Sequence, residues 1–375
     1  MIIGVPKEIM PGERRVAATP ETVKSMCDMG LTVLVEKDAG EGAFFHDPEY
    51  VAAGAEIVAC PREIFERADM ILKVKEPLFN SDLDTHEVDL MRKGQYLITF
   101  IHPAAPVNHQ MVKDLAAKGV ISITLDGIPR IPRARSMDPL ISMSVCAGYK
   151  GILLAVNELP KFVPQVETTV GVIKPINALI VGVGVGGWQA LTTIKSLGAE
   201  TYAIDIRKEA TDRAEAVGAH TVQWDTPNAP DGDEMTKIKH AIAEVLPEMD
   251  IVFLSVLIPG KLAPIMITKE MVRTMKPGSV IVDISIDQGG NCELTPPGTI
   301  EKHHNVTLIG IKNIPGMIPT SSTWMFSQNV LNLVKSLIQD GEVALNLEDE
   351  VIQEALTTYQ GEVVHKGALE AFALD

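Results

Sequence analysis

Short β-branched apolar runs recur along the chain at 31–35, 70–74, 96–100, 121–125, 178–183, 201–205, 251–255, 280–284 and 306–311, with helical periodicity in most of the spaces between them. Strands that alternate with helix-length connections predict parallel sheets joined by crossover helices. The expected fold class is therefore α/β: two doubly wound Rossmann-like domains with parallel sheets, separated by a cleft. One helix start is legible at Thr19-Pro20-Glu21, where a hydroxyl caps free amides, proline fits the first turn and a carboxylate meets the positive end of the dipole. Longer helices are expected over 140–159 and 322–337. The tract 128–138, IPRIPRARSMD, carries two prolines and three arginines without periodicity and predicts an exposed loop at a domain boundary. A discontinuous substrate domain over 1–137 plus 315–375 and a dinucleotide-binding domain over 138–314 follow from that boundary. The Pro-, Asp- and Gly-rich stretch 225–234 predicts a surface loop.

Composition narrows the partners. A chain of 375 residues is the right length for two ordinary domains, and 46% hydrophobic against 22% charged residues marks a globular protein able to bury large cores. The net charge of -16 repels phosphate backbones and anionic lipid heads, so nucleic acid is not expected as a partner. The longest apolar candidate, 178–191, is interrupted by four glycines and Gln189, and no membrane insertion is expected. Cys27, Cys60, Cys146 and Cys292 are scattered, without a CxxC pair, which fits a reducing cytoplasm. Ile2-Ile3-Gly4-Val5 opens directly as a strand, so no signal peptide is expected ahead of the fold.

The strongest local signal is a strand from Ala178 running into Gly182-Val-Gly184-Val-Gly186-Gly187 and then a helix near Trp188. Gly182 permits the tight turn, Gly184 admits a pyrophosphate to the backbone, and Gly187 allows close helix–strand contact. Asp205, eighteen residues past Gly187, ends the next strand, where a carboxylate accepts from ribose hydroxyls and repels a 2′-phosphate. The ligand so indicated is NAD(H), against the alternative of a glycine turn that serves packing alone. The loops 255–259 and 283–290 follow two further strands and are expected to border the nicotinamide.

Four polar residues stand at strand ends or in Gly/Pro-rich turns. Arg15 is either a bidentate partner for a carboxylate or a solvated loop residue beside Arg14. Lys75 closes the run Ile71-Leu-Lys-Val-Lys75 and either projects from the carboxyl end of a sheet or pairs with Glu76. His102 ends a mostly apolar run, Tyr96 to His102, and is either a proton shuttle suited to neutral pH or a satisfied core histidine. Asp287 lies in the turn after a buried strand, as a functional carboxylate or an Asx-turn residue. Hydride transfer needs a cofactor, an anion clamp and a proton shuttle, and these residues supply the last two.

Several motifs together resemble the family that unites alanine dehydrogenase with the NAD(H)-binding α-subunit portion of proton-translocating NAD(P) transhydrogenase: Gly4-Val-Pro-Lys-Glu8, Glu13-Arg-Arg15-Val-Ala-Ala-Thr-Pro20, Leu72-Lys-Val-Lys75-Glu-Pro77, Thr99-Phe-Ile-His102-Pro, the glycine fingerprint, Val256-Leu-Ile-Pro-Gly260, Met275-Lys-Pro-Gly278 and Asp283-Ile-Ser-Ile-Asp287-Gln-Gly-Gly290. For the dehydrogenase, the resemblance implies that Arg15 and Lys75 hold the substrate, His102 is the acid/base and Asp287 stabilises charge near the nicotinamide. It adds Ser144, Val256 and Leu257 to the cofactor-binding set. The implied function is NAD-dependent amino-acid dehydrogenation between NAD(H), ammonia and a small 2-oxo or imino acid, with 313–323 and Ser142-Met143-Ser144 on the dehydrogenase side. The alternative is the NAD(H) component of the transhydrogenase, partnered by membrane and NADP(H)-binding subunits, which 128–138 and the tail from 345 resemble. Arg135 and Ile141 stand where that branch expects glutamine and serine. Either branch implies a homo-oligomer, a hexamer for the first and a dimer for the second.

Overall fold

A computed structural model describes residues 1–226, 229–258 and 262–373. The chain divides into two compact units, Met1–Met143 with Gly316–Asp375, and Ser144–Pro315. Each is built on its own sheet.

The first unit holds an eight-stranded sheet. Its strands are β1 (Ile2–Val5), β2 (Thr32–Glu36), β3 (Glu56–Val58), β4 (Met70–Leu72), β5 (Tyr96–Thr99) and β6 (Ile121–Thr124). Two strands from the end of the chain, Leu356–Tyr359 and Glu362–Val363, complete the edge beside β6. The six N-terminal strands lie in the order β3-β2-β1-β4-β5-β6, all parallel, while Leu356–Tyr359 runs antiparallel to β6. Helix α1 (Pro20–Asp28) starts as its sequence dictates: the Thr19 hydroxyl accepts from the Thr22 amide, and the Thr22 hydroxyl accepts in turn from the Thr19 amide.

The second unit carries seven strands: β7 (Asn177–Val181), β8 (Glu200–Ile204), β9 (His220–Thr221), β10 (Ile251–Leu254), β11 (Val280–Asp283), β12 (Ile300–His303) and β13 (Val306–Ile309). They lie in the order β9-β8-β7-β10-β11-β13-β12, parallel except for β12. Along β7, Ala178 and Ile180 pack on one face and Leu179 and Val181 on the other, and all four are buried. That is why the strand reads as an unbroken apolar run, since helices cover both faces of a doubly wound sheet.

Both sheets share one topology. In each, the first strand is flanked by the second on one side and the fourth on the other, so the chain reverses direction across the sheet at β1/β4 and again at β7/β10. Such a switch point opens a crevice at the carboxyl ends of the two central strands, where ligands of open α/β sheets bind.

Two expectations about the linking region change. The arginine-rich tract is not an irregular loop: 132–137 forms a 3-10 helix with Pro132 in its first turn and Ala134 fully buried. After it, α2 (Pro139–Glu158) is long and apolar enough by length and composition to cross a membrane, whereas the sequence pattern offers 178–191 as the longest apolar candidate. Its residues Ile152 and Ala155 are buried in the core of the second unit, and 44% of its apolar window is buried within the protein.

Candidate functional site

In the first unit, four segments leave the carboxyl ends of β1, β4, β5 and β6 and bring polar groups to the crevice. The loop after β1 carries Glu8, Glu13 and Arg15. Arg15 is almost wholly buried, and its guanidinium grips Glu13 through Nε to Oε1 at 2.8 Å and Nη2 to Oε2 at 2.5 Å. Burial alone would raise the Glu13 carboxyl, but the Arg15 hydrogen bonds and charge, with the charge of Lys75, hold it at about 2. Arg15 Nη1 donates to the Met143 thioether at 2.9 Å, a weak acceptor that a carboxylate readily replaces.

Lys75 lies three residues past the end of β4, with its amide 3.4 Å from Glu8 Oε2 and its carbonyl accepting from Thr99 Oγ1 at 2.8 Å. The preceding Val74 amide donates to Glu8 Oε1 at 2.6 Å. Glu8 is positioned by Lys73, which is fully buried with Nζ 2.9 Å from Glu87 Oε1 and 3.6 Å from Glu8 Oε2. Burial pushes Glu8 up to about 7, with Lys73 opposing and Glu87 adding to the rise. The same two carboxylates raise Lys73 against its own burial. The structure thus separates the two lysines: Lys73 points into a buried ion cluster that fixes the turn, and Lys75 is the half-exposed one.

His102 sits in the loop after β5 with φ +48, a left-handed conformation held by its amide donating to Asp126 Oδ2 at 2.7 Å. Its ring Nδ1 lies 2.8 Å from Asp126 Oδ1 and stacks on Phe100, planes 4° apart. The side chain is 44% exposed, so it is not a core histidine; the protein packed around the ring disfavours its charged form, but Asp126 and then Glu76 outweigh this, so the His102 pKa is raised, and Lys75 subtracts from the rise. Asp126, after β6, is itself lowered: burial is overcome by His102 and by the Thr124 hydroxyl at 2.7 Å. Glu76 Oε2 is buried and accepts no hydrogen bond within the described residues. Lys75 acts electrostatically on both Glu13 and His102, so Arg15–Glu13, Lys75 and His102–Asp126 share one neighbourhood.

In the second unit, β7 runs into the glycine turn and then α3 (Val185–Ser196). A Cβ on Gly187 would collide with the Gly182 carbonyl oxygen, so helix and strand touch there as the motif requires. At Gly184, the helix N-cap, a Cβ would meet nothing nearer than Arg207 Nη2 at 3.9 Å. This glycine is not demanded by the fold, and the open space above it suits a ligand that approaches the backbone. The turn therefore fits a dinucleotide pyrophosphate.

Asp205 ends β8 and its Oδ2 accepts from the Val183 amide at 2.7 Å, which ties the carboxylate to the turn. Arg207 claims both oxygens, Nε to Oδ1 at 2.9 Å and Nη2 to Oδ2 at 2.8 Å. Burial raises Asp205, and Arg207 and Val183 reverse this to a net lowering. Ribose hydroxyls reach Asp205 only if the half-exposed Arg207 side chain withdraws.

At the end of β10, Val256 is half-buried and Leu257 exposed. Buried Asn291 clamps Val256, accepting from its amide and donating to its carbonyl, both at 2.9 Å. Buried Asp283 organises the loop after β11, with Oδ1 accepting from the Ser285 amide and Oδ2 from those of Asn291 and Cys292. The Asx-type bond thus belongs to Asp283, and Asp287 stands exposed on the short turn Ile286–Gln288. Ser144 presents its carbonyl 3.2 Å from where a Cβ on Gly186 would stand. Pro259 and Gly260 lie outside the described residues.

Sequence reading missed Glu13, Asp126, Asp283 and Asn291 as functional supports. Asp126 stands two residues past the end of β6, the signal that singled out His102, and Glu13 lies in the loop after β1 two residues before Arg15. Asn291 gave none, because its role is to bond a backbone 35 residues away.

Two Rossmann-ordered sheets, one ending in a dinucleotide-type glycine turn and the other carrying a buried arginine–glutamate pair and a histidine–aspartate pair, fit an NAD-linked oxidoreductase class. Family comparison agrees, with "Alanine dehydrogenase/PNT, N-terminal domain" matching residues 4–147 and "Alanine dehydrogenase/PNT, C-terminal domain" matching 151–366. The chain is 37% identical over 378 residues to NAD(P) transhydrogenase subunit alpha of Cereibacter sphaeroides, covering 97% of this chain and 71% of that one. It is 34% identical over 376 residues to alanine dehydrogenase of Bacillus subtilis, covering 98% and 93%. Among solved structures, the transhydrogenase from Sinorhizobium meliloti superposes with a TM-score of 0.89 at 33% identity, covering 97% of this chain and all of that one. The chain belongs to the alanine dehydrogenase/PNT family.

Proposed function

We propose that this protein is an NAD(H)-dependent amino-acid dehydrogenase that converts a small 2-oxo acid, ammonium, NADH and a proton into the amino acid, NAD⁺ and water, and runs the reverse. The observation that carries this reading is the gathering of Arg15, Lys75 and His102, with their partners Glu13 and Asp126, at the carboxyl ends of one sheet.

The chemistry follows from those groups. Arg15, fixed by Glu13, presents Nη1 to the substrate carboxylate, and the Lys75 ammonium polarises the carbonyl oxygen. Glu76 Oε2, a buried acceptor without a donor, receives an ammonium ion or the substrate amine. His102, oriented and kept basic by Asp126, gives a proton to the departing hydroxyl in one direction and takes it from water in the other. The nicotinamide supplies or accepts the hydride when bound. Asp287, with Ser144, Val256, Leu257 and the glycine turn, is assigned to the cofactor side, and Asp205 to its ribose.

A second reading is favoured by a specific observation: the identity to the transhydrogenase relative is 37% against 34% for the dehydrogenase. On that reading the chain is the NAD(H)-binding component of a transhydrogenase and acts with NADP(H)-binding and membrane subunits. The test is NADH oxidation by the purified protein with pyruvate or other small oxo acids plus ammonium, repeated with His102→Ala. Turnover lost in the variant supports the dehydrogenase. A wild type inert toward every oxo acid, but active in hydride exchange once an NADP(H)-binding subunit is added, selects the transhydrogenase.

A further inference from the structure

The arginine-rich tract is a sequence motif that the dehydrogenase reaction above leaves unused. It borders a concavity of about 350 Å³ in the first unit, lined by Arg130, Pro132, Arg135, Asp138 and Ile141, a size within the range of small-molecule sites. Its three arginines divide. Arg133 is spent on structure, pairing with Asp349 through Nη2 at 2.7 Å and Nη1 at 3.2 Å. Arg130 and Arg135 form no hydrogen bond or ion pair with any described residue, and both face the concavity. In a chain with 49 acidic side chains against 33 basic ones, two unpaired guanidinium groups on one wall are conspicuous.

The wall is rigid. Buried Ala134 anchors the tract, and the Ser136 carbonyl accepts from Asn329 at 2.8 Å and Asn332 at 3.0 Å, both on α4 (Pro319–Leu337). Asp138 Oδ1 accepts from the Leu140 amide at 2.8 Å at the start of α2, and no described arginine forms an ion pair with it. The concavity also reaches toward the reaction site: Ile141 in its lining stands on α2 two residues before Met143, whose thioether accepts from Arg15 Nη1 at 2.9 Å. Burial raises the Asp138 pKa, Arg130 lowers it, and Asp126, the partner of His102, adds to the rise, which places the two carboxylates within electrostatic reach.

We infer that Arg130 and Arg135 form a second anion subsite that receives the distal carboxylate of a dicarboxylic 2-oxo acid, with the proximal carboxylate at Arg15. The inference rests on the dehydrogenase reading for its substrate, and on the concavity alone for its anion. A fork of two guanidinium groups suits a planar carboxylate, and the sides of Pro132 and Ile141 suit the methylenes between the two ends. A monocarboxylic oxo acid leaves both arginines unused.

The test has two arms. In the first, calorimetry measures succinate, butyrate and pyrophosphate binding to the intact protein. Succinate should bind about tenfold tighter than butyrate, more weakly as salt rises, and Arg135→Gln and Arg130→Gln should remove the difference while Arg135→Lys keeps some of it. Equal binding of succinate and butyrate overturns the subsite, and pyrophosphate binding that succinate does not displace reassigns it to a phosphate. In the second arm, kcat/KM with ammonium and NADH is compared for 2-oxoglutarate, oxaloacetate and pyruvate. A preference for a dicarboxylic oxo acid that Arg135→Gln lowers by about tenfold relative to pyruvate supports the assignment. Turnover that prefers pyruvate overturns the subsite but leaves the dehydrogenase standing, whereas succinate binding without any turnover keeps the anion site and removes the dehydrogenase.

Discussion

At the scale of single residues, Arg15 and His102 are each held by a carboxylate partner, Glu13 and Asp126. Asp126 both orients His102 and raises its pKa, and the two shifts set a window of stability. Because the folded His102 pKa is raised, its contribution is full below about pH 6.5 and is lost as pH rises through the folded value. Because that of Asp126 is lowered, its contribution is present above about pH 3.9 and is lost as pH falls through the folded value. His102→Asn keeps a residue that tolerates the left-handed backbone, so urea unfolding should show the wild-type advantage largest between about pH 4 and 6.5 and shrinking toward pH 9. Lys73 makes a complementary case. Lys73→Met strands Glu8 and Glu87 in a buried site, and chemical denaturation should show a loss of about 3–5 kcal/mol. At pH well below 7 the loss should lessen, since Glu8, already pushed up to about 7, protonates.

At the scale of elements, two glycines in the same turn make opposite demands. Gly187 is required by packing, and Gly187→Ala drives a methyl into the Gly182 carbonyl, so both melting temperature and NADH affinity should fall, with a stability loss of about 1–3 kcal/mol. Gly184→Ala puts a methyl into open space. It should leave the melting temperature nearly unchanged and weaken NADH binding about tenfold or more, as read by fluorescence titration. A Gly184→Ala variant that unfolds, or that binds NADH normally, contradicts the pyrophosphate assignment. Element positions were largely readable: all nine apolar runs contain a strand, because a strand covered on both faces has no polar positions to obscure it. The strands that escaped include short or edge ones, Glu56–Val58, Ile300–His303 and Glu362–Val363, where solvent on one side lets polar residues in.

At the scale of the whole molecule, the two units differ in how the chain builds them. The second is continuous, so a fragment spanning 144–315 should fold cooperatively and bind NADH, as measured by circular dichroism and titration. The first needs both ends of the chain: Leu356–Tyr359 covers the β6 edge, and α4 holds Ser136 and, through Thr323, the Val16 amide at 3.3 Å. A fragment ending at residue 143 should therefore expose that edge and aggregate or stay partly unfolded.

The sequence by itself determined the strand-and-helix alternation, the glycine turn, and the polar residues at strand ends, because each is a local consequence of periodicity, backbone freedom or chain position. It singled out Arg15, Lys75 and His102 one at a time. Only the tertiary structure decided that Glu13 and Asp126 are their partners, that Lys73 rather than Lys75 is the buried lysine, and that Arg207 already occupies Asp205. His102 and Asp126 are joined across a whole helix and strand, and even for near neighbours such as Arg15 and Glu13 the burial that sets the energy of the pair exists only once the sheets have formed.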